Sequence, residues 1–394
     1  MLNLFFSSMP MFVCLFWVIL LLIDRQQLNR SKQFLVLFLS VSVINYFSHA
    51  VFFNHHYQLY TVLDSIWCFT SLAVYPMYYI YIRLLTQDAR FEWKWSWVLI
   101  PALIVAIFSG VTYILMSPAE VKTFVMGRLY FEPGYEPPYS PLVRLQILRL
   151  SVLKVVFILQ VIVVVIAGLR HIFTYNAKIN NFYSNTGGKD LTPIKWLLVV
   201  FIFASVISVL SSGVGKAYFI SHPWMLIIPS LTHSLFLFGV GYAGYKQHFT
   251  IEHFQQDLNQ QELQPEKETA AVHELKNFAE YRSLMFDLLD NKEIYTNHDL
   301  RITDVAKMLN TNRSYASRLL NDMFNTNFAD LIYRYRINKA VELFKSSVDD
   351  ELSVDDVATM SGFASVSSFY RSFKKETGLT PGDYKKNGKE PDSL

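Results

Sequence analysis

Six side chains near the C-terminus have the types and spacing to read a surface. Val366, Ser367, Tyr370, Arg371, Lys374 and Lys375 recur at helical intervals, and no acidic residue occurs between Ala364 and Lys375. A helix face of small, polar and cationic groups is what the major groove of a duplex accepts. Arginine and serine hydrogen-bond base edges there, and lysine neutralises phosphates. The plainer reading of the same residues is a solvated amphipathic helix, and spacing alone does not separate the two.

The elements that must position this face are legible around it. Ser353 and Asp356 have capping-box spacing at the start of a short helix, and Gly362 supplies a turn. Gly378 closes the second helix, and Thr380-Pro381 opens another as N-cap and first residue. Val357, Ala358, Phe363, Phe369 and Phe373 share the opposite face and are expected to pack together. The pattern occurs twice: Leu300–Ala306 matches Leu352–Ala358, about 52 residues on. After Asn310-Thr311-Asn312 comes a helix with Arg313, Ser314, Ser317, Arg318 and Asn321 outward and Tyr315, Ala316 and Leu319 inward. Between the copies, Phe328 to Phe344 reads as a rigid linker helix carrying Arg334, Arg336 and Lys339. It would hold two recognition helices about one duplex turn apart.

From Asp299 to Lys386 the chain resembles the AraC/XylS family of bacterial transcription regulators. Gly362-Phe363, Phe369, Arg371, Phe373, Lys374, Gly378, Pro381 and Tyr384 fall where the family's signature expects them. The resemblance implies that outward residues of both second helices read bases and that nearby lysines and arginines contact phosphates. It also implies promoter DNA as target, RNA polymerase as partner, and no cofactor. Arg301 departs from the pattern by standing where a capping residue is usual, and Ser314 and Ser317 are short, so the first helix is expected to read fewer base edges.

The remainder belongs to another solvent. With 52% hydrophobic and 16% aromatic residues, the 394-residue chain is too apolar for an ordinary soluble protein, and the excess lies in its first 245 residues. Seven runs have the roughly 20 residues that cross a bilayer: Leu4–Ile23, Phe34–Phe53, Tyr60–Ile82, Trp97–Met116, Leu150–Leu169, Trp196–Tyr218 and Trp224–Tyr245. The first lacks a preceding basic residue and a cleavage site, against a signal peptide. Cys14 and Cys68 lie inside such runs, so no disulfide framework or metal-ligand cluster is expected, and no spacing suggests a catalytic pair.

Lysine and arginine concentrate in segments 24–33, 83–95 and 170–195, and the intervening loops are poorer. Positive charge stays inside, which puts the N-terminus outside and the C-terminus in the cytoplasm of a bacterial inner membrane. Within the spans, Asn45, His49, Asp64, Lys154 and His233 are costly enough to suggest a ligand pocket, with Asp64 and Lys154 as charge partners. The alternative is snorkelling and interhelical hydrogen bonds. In the outer loop 117–149, the aromatic and proline-rich 130–141 stretch reads as either a surface connector or a ligand lid.

Residues 247–280 carry seven acids against Lys267 and Lys276, a segment repelled by anionic lipid and DNA and expected to hold the reader off the membrane surface, with Gln255 to Gln264 as a flexible or weakly helical stalk. A helix from His273 to Leu289 then packs on the first unit or pairs with a second chain. The 301–386 region has 13 basic and 11 acidic residues, so binding that is weak until two chains cooperate is expected.

The expected architecture is all-α. A seven-helix transmembrane domain (1–246) precedes a stalk and coupling helix (247–298), a double helix-turn-helix domain (299–386) and a flexible tail (387–394). The expected function is a membrane-bound regulator that senses a small-molecule or envelope signal and binds promoter DNA as a homodimer. The other readings are a transporter or membrane enzyme fused to a DNA reader, or a passive membrane tether.

Overall fold

The computed structural model describes residues 2–24, 29–87, 93–187, 189, 191–247, 251–262, 278–346 and 352–387. Much of the expected stalk (Glu266, Lys267, Glu268, Glu274, Lys276), the expected start of the coupling helix at His273, and the tail beyond Asn387 lie outside these residues. Among the described residues the chain is all-α, with seventeen α-helices, short 3-10 and π turns, and no strand beyond one isolated bridge. It divides into two compact units. The first comprises Met1–Phe173 and Leu191–Glu252, and the second Thr174–Asp190 and His253–Leu394.

The first unit contains α1 (Leu2–Ile23), α2 (Arg30–Phe53), α3 (Tyr57–Thr86), α4 (Ile100–Leu115), α5 (Pro118–Lys122), most of α6 (Pro141–Asn180), α7 (Thr192–Val214), α8 (Lys216–Ser221) and α9 (Ile227–Lys246). Six stretches are long and apolar enough to cross a membrane: Leu4–Ile23, Arg30–Phe53, Lys94–Leu115, Pro141–Asn180, Thr192–Val214 and Pro223–Lys246. The third of the seven expected spans forms α3, a helix of 30 residues that is not among those six. Its tyrosine and polar side chains lower its hydropathy, and Tyr60, Asp64, Cys68, Thr70, Tyr78 and Tyr81 are all buried. A helix surrounded by protein can carry polar groups that a lipid-facing helix cannot.

The region expected as the outer loop 117–149 is largely helical. Ser117 and Glu120 form a capping box that starts α5, a π-helical segment Thr123–Leu129 follows, and α6 begins at Pro141. Tyr130 is buried rather than a free lid: its hydroxyl donates to the Phe52 carbonyl at 3.1 Å, and its ring stacks on Phe52 at 4.5 Å. With Phe124, Val125, Leu129 and Val143 it joins one apolar cluster.

The second unit contains the last turns of α6, most of α10 (Ile251–Glu262), α11 (Phe278–Phe286), α12 (Ile302–Met308), α13 (Arg313–Phe324), α14 (Phe328–Ser346), α15 (Val354–Met360), α16 (Val366–Thr377) and α17 (Pro381–Asn387). The core under α16 is the expected one: Val357, Ala358, Phe363, Phe369 and Phe373 pack with Ile337, Ala340 and Phe344 of α14. On the other side, α11 packs on its own domain, Tyr281 against Tyr315 at 5.2 Å and Phe286 against Phe324 at 5.7 Å. At the start of the acidic segment α10 is a helix, with Phe254 buried against Phe182 at 5.2 Å.

Candidate nucleic-acid interface

Each recognition-type helix owes its position to local chemistry. At α15, the Ser353 hydroxyl accepts from the Asp356 N–H at 3.1 Å, and the Asp356 carboxylate accepts from the Ser353 N–H at 3.0 Å. The Ser353 hydroxyl, which also donates to the Asp356 carboxylate at 2.6 Å, and the Ser353 N–H together hold that carboxyl below its ordinary value. Gly362 turns the chain at φ +86°, and Ser365 caps α16 by accepting from the Ser368 N–H at 3.3 Å. Any Cβ at Gly362 would lie 2.5 Å from the Tyr295 carbonyl oxygen and 2.7 Å from the Thr296 Cα, so the position needs glycine for space as well as conformation. The first unit repeats this with Asn310 at φ +52° in the turn and Asn312 as N-cap of α13, accepting from the Tyr315 N–H at 2.8 Å.

The outward residues stand as their spacing predicts. Ser367, Tyr370, Arg371, Lys374 and Lys375 of α16 are exposed, Val366 is half-buried, and Phe369 and Phe373 are buried behind them. On α13, Arg313, Ser314, Arg318 and Asn321 are exposed and Ser317 is half-buried, while Ala316 and Leu319 are buried. Lys375 lies 3.8 Å from Asp330, an exposed pair worth little, and the Arg318 guanidinium lies 5.3 Å over the Tyr315 ring. Two short helices at a tight turn, with the second presenting cations outward, make a helix-turn-helix unit, here in duplicate.

Residues 305–387 match the family described as "Helix-turn-helix domain". Over 101 residues the chain is 27% identical to "Probable transcription factor PqrA" of Proteus vulgaris, spanning 26% of this chain and 80% of that protein. It is 34% identical over 95 residues to the melibiose operon regulatory protein of Escherichia coli (strain K12), spanning 24% of this chain and 30% of that one. The C-terminal domain is of the AraC/XylS type. A solved structure, the C-terminal domain of the response regulator yesN from Fusobacterium nucleatum, is 27% identical over 26% of this chain and 97% of its own, with a TM-score of 0.23. Of this chain, these likenesses cover the C-terminal part alone.

Not every cation of the AraC-type domain is free for phosphate. Arg334 on the linker helix α14 is exposed, but Lys339 pairs with Glu293 at 2.6 Å. Arg336, on the same helix, is fully buried. Its Nε donates to the Tyr295 carbonyl at 2.7 Å, one Nη to the Asn297 carbonyl at 2.8 Å and the Ser184 hydroxyl at 3.0 Å, and the other Nη to the Ser184 carbonyl at 3.2 Å. Burial lowers its pKa to about 10, so it remains cationic near neutrality.

The polar residues expected to line a ligand pocket in the first unit each have protein partners. Asp64 does not pair with Lys154. It accepts from Arg149 at 2.8 Å, with both side chains fully buried, and from the hydroxyls of Tyr113 at 2.8 Å and Tyr60 at 3.1 Å. Lys154 is exposed and donates to the Ser212 carbonyl at 3.1 Å. The sequence reading missed Arg149 because it assigned the residue to the loop before a span. The helix begins at Pro141, which places Arg149 more than two turns inside it. Asn45 accepts from Thr70 at 3.4 Å, His49 accepts from the Trp67 indole at 3.1 Å, and His233 lies 2.9 Å from the Ser208 hydroxyl. Tyr46 touches both imidazoles, His49 at 5.9 Å and His233 at 6.0 Å.

Proposed function

We propose that this chain is a one-component transcription regulator held in a bacterial inner membrane. In this reading α16 and α13 enter successive major-groove segments of promoter DNA. Val366, Ser367, Tyr370 and Arg371 meet base edges and Lys374 and Lys375 meet phosphate, with Arg313, Ser314, Ser317, Arg318 and Asn321 as the weaker counterpart. The observation that carries it is the separation of faces on α16: both phenylalanines inward, every cation outward. Two chains acting together on DNA would supply affinity that a nearly neutral domain lacks, and RNA polymerase is the partner such a regulator acts on.

The membrane assignment is supported by the six apolar helices and by the side chains they leave uncovered. Ile104, Ile114, Val163, Ile166, Phe203 and Leu235 are exposed, an apolar surface that lipid would cover. The loop charges favour an outside N-terminus and a cytoplasmic AraC-type domain. A signal acting at the outer end would meet the aromatic cluster around Tyr130, which shares Phe124, Tyr60 and Tyr113 with the surroundings of the Asp64–Arg149 pair.

The deciding experiment is genome-wide DNA occupancy of the full chain beside its Arg371→Ala variant, with reporter fusions at residue 394 to fix topology. Discrete occupied promoters that Arg371→Ala loses, with a cytoplasmic reporter, are the expected result. Occupancy without sequence preference, or a periplasmic C-terminus, would overturn the reading.

A further inference from the structure

A connector between two candidate membrane-crossing helices is built into the DNA-reading unit. Residues 181–191 join α6 to α7, where a short solvated loop is the ordinary arrangement. Here four consecutive residues, Phe182, Tyr183, Ser184 and Asn185, are buried within the second unit. Buried loop backbone must find hydrogen-bond partners, and this one does. The Ser184 N–H donates to the Leu300 carbonyl at 3.1 Å and the Ile302 N–H to the Phe182 carbonyl at 3.0 Å, pairing Tyr183 with Arg301 across an antiparallel bridge.

The same few residues reach the entry to the first helix-turn-helix, the linker helix and the turn of the second helix-turn-helix. Ser184 supplies two of the four hydrogen bonds of buried Arg336 on the linker helix, and the Thr186 N–H donates to the Tyr333 hydroxyl one turn away at 3.1 Å. Asn185 Nδ2 donates to the His298 carbonyl before the first unit and lies 3.5 Å from the Gly362 carbonyl in the turn of the second. Tyr183 and Arg301 both engage Asp257 of α10. This explains the odd residue at the head of α12. Arg301 cannot accept a cap hydrogen bond, and its side chain is used for the Asp257 pair 3.2 Å away.

We propose that segment 182–186 is a third component of the DNA reader, a clamp that sets the angle between the two recognition helices, with Asn185 and Arg336 as positioning residues. Because the clamp continues directly from α6 and leads into α7, a shift of either helix changes the spacing of bases the chain can read. The proposal rests on the reading of the chain as a membrane-held DNA reader. It assigns transmission to the α6–α7 connector rather than to the acidic stalk alone.

The test uses the full chain in lipid nanodiscs and the duplex recovered from genome-wide occupancy of the wild type, in a background with Cys14 and Cys68 replaced by alanine. Tyr183→Cys with Arg301→Cys should form a disulfide on mild oxidation, since a non-hydrogen-bonded antiparallel pair has Cα atoms about 4.5 Å apart. Asn185→Ala and Arg336→Gln should weaken specific binding about tenfold and broaden the half-site spacing tolerated, with non-specific affinity unchanged. A Gly-Gly insertion after Asn180 should leave binding intact and abolish signal-dependent regulation in cells. Failure of the cysteine pair to cross-link, or Asn185→Ala binding with wild-type affinity and spacing preference, would overturn the clamp. Wild-type binding by Arg371→Ala would instead refute the DNA-reading assignment.

Discussion

The turn of the second helix-turn-helix unit is made by Gly362 at φ +86° and that of the first by Asn310 at φ +52°. The helices that follow are closed by Gly378 at φ +77° and by Asn325 at φ +48°. Asparagine tolerates the left-handed region at some cost, and glycine enters it freely. The entry helices differ in the same sense. Ser353 makes both halves of a capping box, while at α12 the Asp304 carboxylate accepts from the Arg301 N–H at 2.9 Å and the reciprocal bond is missing. The second unit is held by its own sequence. The first has given up local stability, and its edge is paired with residues 182–184.

Substitutions at matched positions should sharpen this contrast. Gly362→Ala combines left-handed strain of about 1–2 kcal/mol with a backbone clash, and a total above about 4 kcal/mol is expected. Chemical denaturation should show the AraC-type domain unfolding first, whereas Asn310→Gly should be neutral or stabilising. Wild-type stability of Gly362→Ala would mean that the turn can open at no cost. Next in size, Arg371→Ala should lose about 1–3 kcal/mol of specific binding, and Arg318→Ala less, in competition against a scrambled duplex. Equal losses would show that the two units read equally.

Gly378→Ala should cost about 1–2 kcal/mol, because no atom lies within 4 Å of the added Cβ and only the conformation is strained. A cost matching that of Gly362→Ala would refute the clash argument. The smallest effect is expected for Ser353→Ala, about 1 kcal/mol near neutral pH from the lost cap. Ser353 depresses the Asp356 pKa, so this stabilisation is present above the unfolded carboxyl value and lost as pH falls through the lower folded one. The gap between the melting curves of wild type and Ser353→Ala should therefore narrow below about pH 4, and a gap unchanged in acid would assign the whole effect to the cap bond from the Asp356 N–H.

The capping residues, the turn glycine and the two faces of α16 were legible in the sequence because each depends on residues within a turn or two. The apolar runs were legible for a similar reason: about 20 residues of one character suffice to mark a span. The signal is weakest at α3, where burial makes tyrosine and aspartate tolerable. Arg149 and its partner were hidden because they lie 85 positions apart and the helix start was set too late.

Composition and periodicity by themselves determined that the chain is helical, apolar in its first part and duplicated in its last, with cations on one side of α16. Only the tertiary structure decided which cations of α14 face outward. Arg334 and Arg336 are two residues apart on α14, yet one is exposed and the other is enclosed by carbonyls from segments about 40 and 150 residues away. A buried guanidinium needs its hydrogen bonds supplied from wherever the fold brings acceptors together, and no local pattern records that convergence.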